Sequence, residues 1–236
     1  MAKVSTKRSP IRLSQATENY LLSIFHLREW GQRVTMTTLA EELRQLPVGE
    51  GLGTSLPSVG GMVRRMVRES LVSVGKNKEV ELTSKGKIAA DSIVRRHRLA
   101  ERLVVDLLGL ELYKAHEEAH RLEHAISPEV EVLIENRLGH PTTCPFGHPI
   151  PGSEYKPRKN AVTLDKTQPG TIVSVDRVPE DDQALLEYLV ANQVVPGQKI
   201  EVKEAAPYRG VITMVVNDID IVVSYEVAQR LLVVPT

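Results

Sequence analysis

The sequence has one cysteine in 236 residues, Cys144. A lone thiol rules out an internal disulfide framework and fits a chain kept in a reducing cytoplasm. Long hydrophobic runs are also missing: no apolar stretch approaches the roughly 20 residues of a membrane span. The basic start MAKVSTKRSP is not followed by an apolar stretch, so it does not read as a secretory signal. No long internal repeat is visible, which argues against a solenoid. Net charge is absent too, with 30 basic and 30 acidic residues. What remains is a cytoplasmic globular protein whose length predicts two domains and a small third.

The zero net charge hides a split. Residues 1–100 hold 17 Lys and Arg against 9 Asp and Glu, whereas residues 101–236 hold 13 against 21. A basic first part points to an anionic partner such as nucleic acid, and an acidic second part suits cations.

Residues 1–12 are expected to be disordered. A helix is predicted from near Gln15 to Gly31, where Tyr20, Leu21, Ile24, Phe25 and Leu27 give a helical apolar stripe. A second runs over 36–46, and the glycine-rich 47–54 reads as a loop. A third starts after Ser55, a good N-cap, with Pro57 in the first turn where a missing N–H costs nothing. LVSVGKNKEVELTSKG then reads as a basic hairpin. Helix, turn, helix and basic hairpin is the order of a winged helix–turn–helix, and seven basic residues against three acidic ones from Arg64 to Lys87 favour DNA. The DNA-contacting candidates are Ser55, Pro57, Ser58, Gly60, Gly61, Arg64 and Arg65 on the third helix, and Lys76 and Lys78 on the wing. Hydroxyls and amides at the helix start suit phosphate, the two glycines permit close approach, and the wing lysines suit backbone.

A long helix is predicted from Thr83 or Ser84 to Gly109, another over 111–126, and a third from Pro128 to about Leu138. HPTTCPFGHPIPGSEYKP, with five prolines between 141 and 157, reads as a linker with fixed turns. From Ala161 the pattern is β, interrupted by one helix in DDQALLEYLVANQ, as in a small barrel. The predicted domains are 1–84, 85–151 and 152–236.

The stretch HEEAHRLEH (116–124) carries three of the seven histidines, spaced four apart. On a helix each residue rises about 1.5 Å and turns about 100°, so His120, Glu123 and His124 share a face and reach one ion. His116 is on that face but about 12 Å from His124 along the axis, so one ion cannot take both. The preceding helix offers His97 and Glu101, another i, i+4 pair. Two sites follow: His120 with Glu123 and His124, and His97 with Glu101 and His116. Imidazole and carboxylate donors without thiolate suit Mn(II), Fe(II), Co(II) or Zn(II).

HEEAH is also a literal H-E-x-x-H, which would make the chain a zinc-dependent hydrolase with Glu117 as general base. Glu123 and Ile126 break the extended form of that signature, His124 competes for His120, and a catalytic zinc leaves the basic winged segment unexplained.

The segments RRHRLAERLVVDLLGL, KAHEEAHRLEHAIS and CPFGHPIPG, in that order, closely resemble the diphtheria toxin repressor family of metal-dependent transcriptional regulators. The resemblance covers about residues 14–151 strongly and the C-terminal part weakly. It implies a mainly α protein with a winged helix–turn–helix N-terminal domain, a helical dimerisation and metal-binding domain, and a small SH3-like β-barrel. It places Glu180 and Gln183 of PEDDQ with His97, Glu101 and His116, and Asn19 with His120, Glu123 and His124. Asn19 and His120 both depart from the residues common in the family, as does Leu22, which stands where paired-ion members carry a Glu. The third part resembles the small barrel of iron-transport accessory proteins. The implied function is a homodimeric repressor of metal-uptake genes that binds palindromic double-stranded operator DNA with two ions per subunit, Mn(II) before Fe(II), and is not an enzyme. Metal would select the conformer whose recognition helices match successive major grooves.

Overall fold

The computed structural model describes residues 13–46 and 51–236. The tail expected over 1–12, and 47–50 of the expected loop, lie outside the described residues. The chain forms two compact units, Met1–Ile93 and Val94–Thr236.

In the first unit, α1 (Gln15–Glu29) is capped by Ser14, and α2 (Met36–Gln45) by a reciprocal box in which Thr35 and Thr38 each satisfy the other's backbone N–H. α3 (Leu56–Arg68) starts at Ser55, whose side chain accepts from the Ser58 N–H. It buries Val59, Val63 and Met66 and leaves Ser58, Arg64, Arg65 and Arg68 exposed. The wing is the antiparallel pair β1 (Val72–Val74) and β2 (Val80–Leu82), closed by a turn in which Gly75 N–H donates to the Glu79 carbonyl. Lys76 and Lys78 stand exposed on that turn, Lys78 at φ 63°.

Thr83 caps the next helix by accepting from the Gly86 N–H at 3.0 Å. A Cβ on Gly86 would lie 1.8 Å from the Leu71 carbonyl oxygen, so only glycine lets the start of this helix seat against the backbone between α3 and β1. α4 (Ser84–Arg102) carries the chain into the second unit and ends in a π-helical turn over Leu103–Leu107, where the sequence predicted one regular helix to Gly109. The helix predicted over 111–126 is also shorter. A 3₁₀ turn (Leu112–Lys114) precedes α5 (Ala115–Leu122), and residues 123–125 form a turn. α6 (Pro128–Arg137) begins at the Ser127 cap.

A six-stranded antiparallel sheet follows, in the order β3 (Val162–Thr163), β8 (Leu232–Pro235), β4 (Ile172–Arg177), β5 (Lys199–Ala206), β6 (Val211–Val216), β7 (Ile219–Ser224). α7 (Gln183–Ala191) and the short α8 (Tyr225–Ala228) pack with it. β6 and β7 join through Asn217 and Asp218, both at positive φ, as a tight hairpin with right-handed strand twist requires. Alternation along β6 buries Ile212, Met214 and Val216.

Residues 144–150, within the stretch 141–157 read as a linker, are part of the core. Cys144, Phe146 and His148 are fully buried and Ile150 nearly so, and Phe146 shares one core with Val104, Ala115, Val175, Leu186 and Met214. Its turns are closed by hydrogen bonds from Cys144 N–H to the His148 carbonyl and from Gly147 N–H to the Cys144 carbonyl, and Val178 N–H, just after β4, donates to the Phe146 carbonyl. Gly147 has φ 92°, and a Cβ there would meet the Asp176 carbonyl at 2.0 Å. Arg98 and Arg102 of α4 donate to the Pro149, Thr143 and Cys144 carbonyls from the other side. Proline density resembles a linker in a sequence because it excludes helix and strand. It does not exclude burial when the fixed turns carry Phe and Ile inward.

Candidate metal centre

His97 and Glu101 lie one turn apart on α4, and His116 and His120 one turn apart on α5. The second unit brings these two faces together. His97 Nε2 is 3.0 Å from Glu101 Oε1 and 3.1 Å from His116 Nδ1, and His116 Nδ1 is 3.2 Å from Glu101 Oε1. Glu180 arrives from the segment between β4 and α7 and is buried. Among the described residues, His97, Glu101, His116 and Glu180 offer ligand atoms all within 4.8 Å of one another, and so do His97, His116 and His120.

The second expected set is adjacent. Glu123 Oε1 lies 3.6 Å from His120 Nδ1 and 3.2 Å from His124 Nε2. Glu123 caps α5 with near-helical backbone and His124 is in the turn after it, so the shared face outlasts the helix by two residues. Asn19 is buried on α1 of the first unit. Gln183, the first residue of α7, is exposed.

Electrostatics favour a cation. Burial alone would lower the pKa of His97, but the carboxylates of Glu101 and Glu123 outweigh it and push it up to about 10. Burial opposes charge on Glu101, yet His97 and His116 hold its pKa well below the usual carboxylate range, and His120 and His97 do the same for Glu123. Burial drives His120 down to about 4, so its imidazole is neutral at neutral pH. Three buried atoms, Glu101 Oε2, His120 Nδ1 and Glu123 Oε1, have no hydrogen-bond partner among the described residues. Leaving such atoms unsatisfied costs about 1–3 kcal/mol each, more if charged. A divalent cation on these imidazoles and carboxylates would satisfy them, so the residues present fit the group.

Several contacts went unread in the sequence. His97 Nδ1 meets Glu123 Oε2 at 2.6 Å, tying the two expected sets together. His116 Nε2 and His120 Nε2 are 3.3 Å apart, a contact that their i, i+4 spacing could have signalled. Cys144 Sγ and His148 Nε2 each lie 3.7 Å from Glu180 Oε2. Burial, then the charges of Glu101 and Glu180, raise the Cys144 pKa well above the ordinary thiol value. Glu117, the would-be base of H-E-x-x-H, is half-buried at the surface and paired with Arg121.

On the first unit, Ser55, Pro57, Ser58 and Arg64 are exposed along α3, and Gly60 and Gly61 are half-buried. Arg65 is paired with Glu69 at 2.8 Å.

Residues 83–152 match the family model for the iron-dependent repressor metal-binding and dimerisation domain, and residues 162–235 match the FeoA domain. The chain is 35% identical over 229 residues to the iron-dependent repressor IdeR of Mycobacterium leprae, covering 92% of this chain and 95% of that protein. It is 38% identical over 161 residues to the diphtheria toxin repressor of Corynebacterium diphtheriae, covering 68% and 66%. Among solved structures it resembles a manganese-dependent transcriptional repressor in complex with manganese, with TM-score 0.81 and 29% identity over 93% of this chain and all of that one. The manganese regulator SloR gives TM-score 0.76 and 27% identity over 95% and 100%. These relatives are regulators, and the hydrolase alternative finds no counterpart among them. No helix among the described residues is long and apolar enough to cross a membrane. The chain belongs to the iron-dependent repressor family, the diphtheria toxin repressor group of metal-dependent transcriptional regulators.

Proposed function

We propose that this repressor binds two divalent ions per subunit, one on His97, Glu101, His116 and Glu180 and one on His120, Glu123 and His124, and that this activates a homodimer for palindromic operator DNA. The observation that carries the reading is the buried quartet His97, Glu101, His116 and Glu180, with ligand atoms within 4.8 Å and Glu101 Oε2 unsatisfied. A bound divalent ion supplies the positive charge that these carboxylates lack. The chain's own residues do the rest. Glu123 orients the His97 ring through Nδ1, α4 and α5 hold their i, i+4 pairs facing one another, and the 144–150 turns seat the segment carrying Glu180.

The imidazole and carboxylate donors of the quartet favour Mn(II) first and Fe(II) second. Dimerisation has a surface to use. Leu107, Leu108, Val130, Val132 and Leu133 are exposed within the stretch that matches the dimerisation domain. DNA would meet the polar face of α3, with Ser55, Ser58 and Arg64, and the wing lysines Lys76 and Lys78. Occupancy selects the DNA-competent conformer, and a hundredfold preference for it corresponds to about 2.7 kcal/mol.

The test is selection of bound sequences from a random duplex pool with Mn(II), followed by titration of the selected duplex with Mn(II), Fe(II) or chelator. The expected result is a palindrome bound by dimers only with metal, and loss of that stimulation in His124→Ala and His97→Ala. Equal binding in chelator, or full stimulation of both variants, refutes the reading.

A further inference from the structure

Two consecutive glycines, Gly60 and Gly61, stand in the interior of α3. Alanine would favour the helix at both positions. Backbone geometry does not ask for glycine there, since neither has a positive φ. Packing against the core does not ask for it either. A Cβ on Gly60 would meet only Arg64 Nη1, at 3.4 Å, and a Cβ on Gly61 only Arg64 Nη2, at 3.9 Å. The glycines leave open the space that one guanidinium occupies.

Arg64 follows them by one turn and reaches back over them, the direction that helical side chains take. At about 100° per residue, Pro57, Gly61, Arg64 and Arg68 form the stripe opposite the buried Val59, Val63 and Met66. Other polar groups of α3 are engaged locally. Ser55 Oγ accepts from the Ser58 N–H, Ser58 Oγ is turned onto Gly53, where a Cβ would meet it at 2.1 Å, and Arg65 pairs with Glu69. Arg64 is exposed and makes no hydrogen bond or ion pair among the described residues. Arg68 shares the outward stripe but stands in the last turn, away from the N-terminal half that a recognition helix offers to bases. With Met36, Val67 and Val74, Arg64 borders an apolar hollow of about 530 Å³ that suits its aliphatic stem.

We propose that Arg64 is the specificity-determining residue of α3, its fork taking O6 and N7 of one guanine in each operator half-site. Gly60 and Gly61 form the recess that lets the guanidinium lie between the helix backbone and the base edge. Guanine presents two adjacent acceptors in the major groove, which match two parallel N–H donors. Adenine presents one acceptor beside a donor and does not. Phosphates line the rims of the groove, whereas the middle of the outward stripe faces its floor. The inference deepens the operator reading given above and rests on it.

The experiment uses the full-length chain with Mn(II) and the duplex that the wild type selects. Each guanine is replaced in turn by 7-deazaguanine, which pairs normally but lacks the N7 acceptor. The expected result is one guanine per half-site whose replacement weakens wild-type binding about tenfold. The same replacement should change binding by Arg64→Ala and by Arg64→Lys less than about twofold. Lysine keeps the charge without the fork, so Arg64→Lys should keep the wild-type salt dependence while losing the preference for guanine. Gly60→Met fills the recess with a good helix former and should lose that preference with Arg64 still present. A selected half-site without a sensitive guanine, undiminished sensitivity in Arg64→Ala or Arg64→Lys, or full guanine preference in Gly60→Met overturns the inference and leaves the repressor reading standing. No duplex selected by the wild type in Mn(II) would overturn both.

Discussion

His97 Nδ1 stands 2.6 Å from Glu123 Oε2, with both side chains fully buried. One imidazole thus faces the first proposed ion set with Nε2 and grips a carboxylate of the second with Nδ1. The consequence is measurable. Glu123→Gln removes a charged donor from the second set and also weakens the acceptor that fixes the His97 ring. Manganese affinity at the first set should therefore fall about tenfold although no residue of that set is changed. Competition titration of the variant measures it, and an unchanged first-site affinity would break the link.

Metal uptake should release a proton. His97, pushed up to about 10, carries a proton at pH 7, and ligation through Nε2 requires its loss. Manganese affinity should then rise with pH between about 6 and 9, by up to about tenfold per unit. Calorimetry in buffers of different ionisation enthalpy counts the proton, and zero release would contradict the assignment. The metal-free chain should show the opposite trend. A folded-state pKa above the unfolded 6.5 gives stability that is complete below pH 6.5 and lost as pH climbs through about 10. Denaturant unfolding in chelator across that window should show declining stability.

Arg64 and Arg65 are adjacent in sequence and differ in what they are free to do. Arg65 is held by Glu69 at 2.8 Å, whereas Arg64 is exposed on the α3 face that we propose meets DNA. Arg64→Ala should weaken DNA binding and reduce the slope of log affinity against log salt by about 1. Arg65→Ala should change that slope much less. Fluorescence anisotropy at several salt concentrations separates the two, and equal slopes would remove the distinction.

Phe146→Ala should destabilise the second unit by about 3–5 kcal/mol, the cost of emptying a closely packed aromatic site. A true linker residue would cost almost nothing. Denaturant unfolding gives the difference, and a loss under about 1 kcal/mol would restore the linker reading.

Much of the fold was legible because it rests on local rules. Ser14, Thr35, Ser55 and Ser127 each cap the helix that follows, and alternation marks β6 and its neighbours. The π-helical turn at Leu103–Leu107 was not legible: nothing local in LVVDL forbids an α-helix, and the break is made where Val104 enters the common core. The buried 144–150 turns were misread for the same reason. Their prolines are a local signal, and their burial is decided by β4, α4 and α7.

The sequence by itself determined the element order, the charge split and the i, i+4 pairs His97–Glu101 and His116–His120, because each follows from backbone periodicity, capping or composition. Only the tertiary structure decided that these pairs face one another, that Glu180 joins the first and Glu123 bridges to it, and that three imidazoles share one space. Between α4, α5 and Glu180 those contacts cross 15 to 83 residues of chain, and their geometry is set by how α4, α5 and the sheet pack around a common core, which no local pattern encodes.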